Sequence, residues 1–274
     1  MINFGGAYIS KLDRYELKYL IPYELVEPIS DYLKIYCTLD THSRNSKDNF
    51  YIINSLYFDT PNFLFLKNRL YGKNPRFNLR ARSYGMRPKA PYFLEIKIKQ
   101  SNIVNKYRSM LKEEEWPTIF EDPSFDFEKY GDKKERANKE LFYFTTVKYA
   151  ATPKIFTQYR RRAFVSEIDE YARVTMDIDL KYSLRNSYDL IPKAKMIPYD
   201  EESVFFSNER TLGSRVVLEL KCYPNQVPLW MLDMIRIFNL QLASFSKYLY
   251  SMRAASLYDP SYNEYYNFND RIPV

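Results

Sequence analysis

Along six stretches of this chain, charged and apolar side chains alternate with a period of two. In 91–100, PYFLEIKIKQ, Leu94, Ile96 and Ile98 fall on one side and Glu95, Lys97 and Lys99 on the other. In 172–181, Val174, Met176, Ile178 and Leu180 oppose Arg173, Thr175, Asp177, Asp179 and Lys181. In 215–221, Val216, Leu218 and Leu220 oppose Arg215, Val217, Glu219 and Lys221. Arg80 and Arg82 share a face of FNLRARSY at 77–84, as do Glu16 with Lys18 and Lys106 with Arg108. A period of two belongs to β-strands, whose successive side chains point to opposite faces. Any one such strand fits an antiparallel sheet packed on one side and wet on the other. Six strands that choose Lys, Arg and Glu over Thr, Ser and Asn ask for more. If helices cover the apolar faces, a curved sheet turns its charged faces inward, into a lumen. A dry lumen could not hold them, because desolvation costs several kcal/mol per ion. The lumen is therefore expected to hold water, or a ligand that complements a cationic surplus.

The remaining segments supply the cover. Strands are expected at 13–21, 49–60, 75–84, 91–100, 104–111, 153–167, 171–184 and 215–223. Helices are expected at 22–37, 61–70, part of 112–148, 227–240 and 245–258, on apolar spacing and on the prolines near their first turns. No repeat or linker interrupts the series. The expectation is one α+β domain over 1–258, an antiparallel β-barrel or tunnel with helices packed outside, followed by a loosely held tail at 259–274.

The 274 residues carry 41 Lys+Arg against 34 Asp+Glu, a net charge of +7 that suggests a polyanionic partner without choosing one. Two cysteines, Cys37 and Cys222, cannot build a disulfide framework or a cysteine zinc site. The one histidine, His42, lies in the polar run DTHSRNSKDN and reads as a solvated loop residue. The mixed charges of 132–136 read as a solvated helix face. No stretch approaches the roughly 18 apolar residues of a membrane span, and no apolar signal core opens the sequence, so a cytoplasmic location is expected. The cations are interleaved with carboxylates, with no ordered platform of exposed aromatics for stacking bases, which argues against nucleic acid.

A chain of phosphates suits the lumen better. Arginine grips phosphate oxygens in bidentate fashion and lysine adds a compact charge. Carboxylates among them can hold Mg²⁺ or Mn²⁺, hard ions that bridge to phosphate. The alternative for Glu95, Asp177 and Glu16 is to orient neighbouring cations through salt bridges.

The order of RYELKYLIP (14–22), SLYFDT (55–60), LRARSY, FLEIK (93–97), YRRRAF (159–164), RVTMD (173–177), LELK (218–221) and FSKY (245–248) resembles the VTC domain over about 12–258. This is the polyphosphate polymerase domain of the vacuolar transporter chaperone complex, among the CYTH-like triphosphate tunnel metalloenzymes. The resemblance implies a basic β-tunnel that binds ATP or another triphosphate with a divalent metal, Mn or Mg. It implies transfer of the γ-phosphoryl group to inorganic polyphosphate. Other tunnel enzymes hydrolyse triphosphate or cyclise ATP, and a module that only holds polyphosphate stays open. The resemblance gives Lys18, Arg80, Arg82, Lys97, Arg161, Arg173 and Lys247 catalytic phosphate-binding roles, supported by Lys106, Arg108 and Lys221. It makes Glu219 the metal ligand, with Glu95, Asp177 and Glu16 as further candidates. Arg14 stands where hydrolytic members carry a first glutamate, and Ser244 where some polymerases carry a lysine. The sensor domain and membrane spans of the eukaryotic complex have no counterpart in this sequence.

Overall fold

The alternating stretches form the strands of one antiparallel sheet in a computed structural model that describes residues 15–100, 103–129, 131–200, 214–224 and 226–258. The expectations for Arg14, for the Arg215 side chain and for the tail at 259–274 fall outside them. In chain order the strands are β1 (Tyr15–Pro22), β2 (Cys37–Leu39), β3 (Tyr51–Asp59), β4 (Arg76–Tyr84), β5 (Tyr92–Gln100) and β6 (Ile103–Leu111). They continue with β7 (Thr152–Ser166), β8 (Ala172–Leu184), β9 (Ile197–Pro198) and β10 (Ser214–Cys222). Neighbours run β1-β10-β8-β7-β3-β4-β5-β6, with β2 added to β7 and β9 to β8. The sheet curls until its two ends meet: Lys97 of β5 forms an ion pair with Glu16 of β1.

Helices cover the outer face as two apolar layers. The first packs Tyr19, Val174, Met176 and Leu218 against Ile29 and Leu33 of α1 (Val26–Leu33). Met231 and Met234 join it; in chain order their helix, Leu229–Ile237, is α6, after α2 (Thr41–Arg44), α3 (Leu64–Leu70), α4 (Thr118–Glu121) and α5 (Lys133–Lys148). The second layer packs Leu56, Phe58, Leu79, Leu94 and Phe156 against Phe65 of α3 and Phe142 of α5. Among the described residues no helix is long and apolar enough to cross a membrane.

The last helix, α7 (Lys247–Tyr258), takes the other side. Its Tyr248, Met252 and Ala255 pack on Ile53, Tyr57 and Tyr159, which share the concave face with the cations. A β-bulge makes room for it. Register between β7 and β8 shifts between Gln158 and Arg160, and Asp179 adopts φ 53°. This corrects the simple alternation expected for 172–181. Up to Asp177 the odd residues face inward; beyond the bulge Leu180 and Tyr182 do, and Asp179 turns outward to pair with Arg160. The helix expected at 22–37 is also shorter: Cys37–Leu39 is drawn off as β2 by hydrogen bonding to β7.

Asp59, fully buried, ties α7 and α3 to the sheet. It accepts hydrogen bonds from the backbone N–H groups of Thr60, Phe65 and Leu66 and from the Tyr248 hydroxyl at 2.7 Å. Burial raises its pKa and these four donors oppose that. Tyr248→Phe is expected to cost about 1.5–3 kcal/mol, the scale of a hydrogen bond to a charged group, read as a lower urea midpoint at unchanged slope.

Candidate active site

The concave face bounds a cavity of about 1420 Å³. Fifteen lysines and arginines line it, against four carboxylates. All ten cations singled out in the sequence (Lys18, Arg80, Arg82, Lys97, Lys106, Arg108, Arg161, Arg173, Lys221 and Lys247) are among them, with Glu16 and Glu219. Strand geometry brings them together. Arg80 stands opposite Glu95, and Glu95 opposite Arg108, across β4, β5 and β6.

Glu95 is fully buried and gathers four cations. Arg80 approaches it at 2.7 Å, Arg108 at 3.5 Å and Arg82 at 3.8 Å, and Lys106 also pairs with it. Burial pushes its pKa up, but Arg82, Lys106, Arg80 and Arg108 outweigh this and hold it well below the usual carboxylate range. One carboxylate cannot neutralise four cations. Lys106 is accordingly depressed to about 7, by burial and by Arg82, Arg80 and Arg108 outweighing Glu95. Lys97 falls to about 8, by burial against the pull of Glu16, with Lys18 adding repulsion. Yet 28% and 27% of these two side chains reach solvent.

Asp177 plays a similar part on β8. Arg161 holds it by two hydrogen bonds of 2.6 and 2.8 Å, and Lys247 by one of 2.5 Å. Despite burial, these cations keep its pKa at about 2. Tyr159 lies beneath them, 1% exposed, with the Lys247 ammonium 4.3 Å from its ring centre. Glu219 receives Lys221 at 3.0 Å and Lys18 at 3.3 Å. Burial raises the pKa of both Glu16 and Glu219, and Glu219 raises that of Glu16 further, but the surrounding lysines outweigh this and leave both below the ordinary value, Glu16 at about 2.

Other groups in and behind the lining add to those assigned roles from the sequence. Asp40, ahead of α2, accepts from Arg173 at 2.5 Å and caps α2 through Ser43 N–H. Arg69 of α3 donates to Ser244 Oγ at 3.0 Å, bringing a cation from another element to the position of the missing lysine. Arg76 and Lys99 stand opposite each other at one end of β4 and β5, and neither has a carboxylate partner among the described residues. Asp132, Lys134 and Glu135, read as a solvated helix face, sit on the cavity rim. His42 lies on the one-turn α2 rather than in a loop, stacked on Tyr84.

The guanidinium groups also carry unused donors. Arg82, 8% exposed, has a buried Nε with no acceptor, and the buried Nε of Arg173 has none. The Ser55, Thr157 and Thr175 hydroxyls are likewise buried without partners. Buried polar groups are nearly always satisfied by protein or ordered water, so the two arginine Nε groups are open to water or a bound anion.

Two outcomes are expected. Glu95→Gln leaves four cations without their shared counter-charge and is expected to lower stability by about 3–5 kcal/mol in urea unfolding. A variant as stable as the parent would show that solvent, not Glu95, offsets them. Lys106 and Lys97 lose their protons as pH rises through about 7 and about 8. A bound polyanion favours the charged form, so tripolyphosphate binding is expected to weaken across that range and to take up protons near pH 8. Calorimetry in two buffers of different ionisation heat measures the uptake; equal heats would contradict it.

No curated protein matches the sequence. Among solved structures, a putative adenylate cyclase from Bacillus halodurans superposes with a TM-score of 0.50 at 11% identity, over 86% of this chain and 94% of that one. A putative adenylyl cyclase from Hippeastrum, described as having a dominant triphosphatase activity, gives 0.48 at 13% identity, over 89% and 96%. The fold is that of the triphosphate tunnel proteins. The VTC domain matches residues 13–256, nearly the whole chain, and the protein belongs to that family of tunnel-fold enzymes that handle phosphoryl groups.

Proposed function

We propose that this protein is a polyphosphate polymerase that transfers the γ-phosphoryl group of ATP to a growing polyphosphate chain inside the cationic cavity. The observation that carries the reading is the set of buried arginine donors without acceptors, Arg82 Nε and Arg173 Nε, inside a lining of fifteen cations. A polyanion would satisfy both the charge and the hydrogen bonds. The extent of the lining favours a chain over a lone phosphate. Arg76, Arg80 and Arg82 follow one face of β4, six residues from first to last, or roughly 20 Å of strand.

Phosphoryl transfer asks the protein for position and charge rather than covalent work. Arg80, Arg82, Arg161 and Lys247 sit already fixed by Glu95 and Asp177, so little side-chain order has to be gained when phosphates arrive. Lys18, Lys97 and Lys221 surround Glu219 and Glu16 and would neutralise phosphate oxygens beside them. Arg173 is held by Asp40 with one guanidinium nitrogen unused.

A divalent metal fits these residues in one arrangement. Among the described residues no three His, Cys, Asp or Glu side chains cluster, which disfavours an all-protein cage. Glu219 and Glu16 are ionised oxygen donors facing the cavity. Mg²⁺ or Mn²⁺ held by one or two carboxylates and completed by phosphate oxygens suits such a pair. Bound there, the ion would screen charge on the transferring group. Glu95 and Asp177, buried under their cations, serve in this reading as positioning residues.

Incubation with ATP and Mn²⁺ tests the activity. Long chains on a gel are expected; orthophosphate alone would make the protein a triphosphatase, and binding of polyphosphate without turnover would make it a holding module. Replacing Arg80 and Arg82 together by alanine is expected to abolish binding and synthesis. Synthesis at the parental rate by that variant would falsify the assignment of the cavity.

A further inference from the structure

Part of the cavity wall is aromatic, with the Arg108 guanidinium 3.7 Å above the Phe93 ring. The His42 imidazole stacks on Tyr84 with ring centres 5.6 Å apart and planes 2° from parallel. Tyr51 leans on both, 5.2 Å from His42 and 6.3 Å from Tyr84, and Phe93 meets Tyr84 edge-on at 5.9 Å. These four rings line the phosphate cavity. His42, Tyr51 and Tyr84 also line a second hollow of about 350 Å³ just beyond it, walled by Phe50 and Gly85. The two spaces meet at the rings.

The placement relative to the arginines gives the cluster its meaning. Tyr84 lies two residues beyond Arg82 on the same face of β4, a step of about 7 Å. Tyr51 stands directly opposite Arg161 across β3 and β7. Tyr84 is therefore one step past Arg82 along its strand and Tyr51 sits beside Arg161 on the neighbouring one, so a base on these rings would lie next to phosphates held by the two arginines. α2 fixes His42 there: Asp40 caps the helix through Ser43 N–H and pairs with Arg173 of the cavity wall. His42 remains exposed while stacked.

We propose that His42, Tyr84 and Tyr51 form the nucleobase site of the triphosphate substrate and set its preference for a nucleotide over inorganic triphosphate. The inference rests on the cavity being the phosphate site. Recognition is of the π-face, which every base presents, so ATP and GTP are expected to bind with similar affinity.

The single histidine makes the test direct. In protein without an affinity tag, the imidazole Hε1 proton gives one NMR signal, identified by its loss in His42→Ala. With Mg²⁺ present, a non-hydrolysable ATP analogue is expected to move that signal upfield by ring current, and inorganic tripolyphosphate to leave it nearly in place. In calorimetry, His42→Ala and Tyr84→Leu are expected to weaken the ATP analogue about tenfold, the scale of a lost base–aromatic stack, while tripolyphosphate binds as before. Equal displacement of the signal by both ligands, or proportionate loss of both affinities in the exposed His42→Ala variant, would overturn the proposal. If the parent binds tripolyphosphate but shows no nucleotide preference, the base site alone falls. If it binds neither ligand, the phosphate reading falls, and this inference with it.

Discussion

Everything in the cavity depends on how one buried carboxylate, Glu95, divides its charge among Arg80, Arg82, Lys106 and Arg108. Four cations brought together in a protein interior repel one another and lose hydration. Glu95 lies at their centre and removes enough of the cost for them to stay, but too little to neutralise them. Burial first, and then repulsion from Arg82, Arg80 and Arg108, lowers the pKa of Lys106 in spite of Glu95. Asp177 repeats the arrangement with Arg161 and Lys247. The site is thus fixed in place and still electrostatically incomplete, the condition in which a polyanion gains most by entering.

The concave face carries two surfaces, and a single irregularity separates them. Through Asp177, β8 presents polar side chains to the cavity; past the bulge at Asp179 the same face turns apolar, and Leu180 and Tyr182 receive α7. Had the alternation continued, Asp179 and Lys181 would point at that helix and Leu180 away from it. The bulge lets one strand serve a wet cavity and a dry helix contact on the same side. Lys247, the first residue of α7, stands where the two meet.

The sequence already disclosed the cavity wall, because a strand's facing is a local property that two or three residues reveal. Arg80 with Arg82, Lys106 with Arg108 and Glu219 with Lys221 all face as their spacing requires. What it hid depends on distance along the chain. Asp40 lies 133 residues from Arg173, and Arg69 lies 175 from Ser244. The ring cluster joins His42 to Tyr84 across two elements, and in a chain with 27 tyrosines no local pattern distinguishes Tyr84 from a packing residue. The bulge at Asp179 was hidden for another reason: aspartate tolerates a left-handed backbone, but at this position it also fitted the alternation of charged and apolar residues. Cys37 closed the helix expected at 22–37, and instead opens a strand through hydrogen bonds that the distant β7 supplies.

Asp59 pairs with none of the cavity cations among the described residues, yet two of them hang from it. Its carboxylate holds the backbone of Phe65 and Leu66 in α3, the helix that carries Arg69, and the hydroxyl of Tyr248, next to Lys247 in α7. These are cations that the sheet itself does not supply. Both helices are therefore set from one fixed point on β3, as two arms are from one pivot, and a shift of that point would move Arg69 and Lys247 together and not one charge alone.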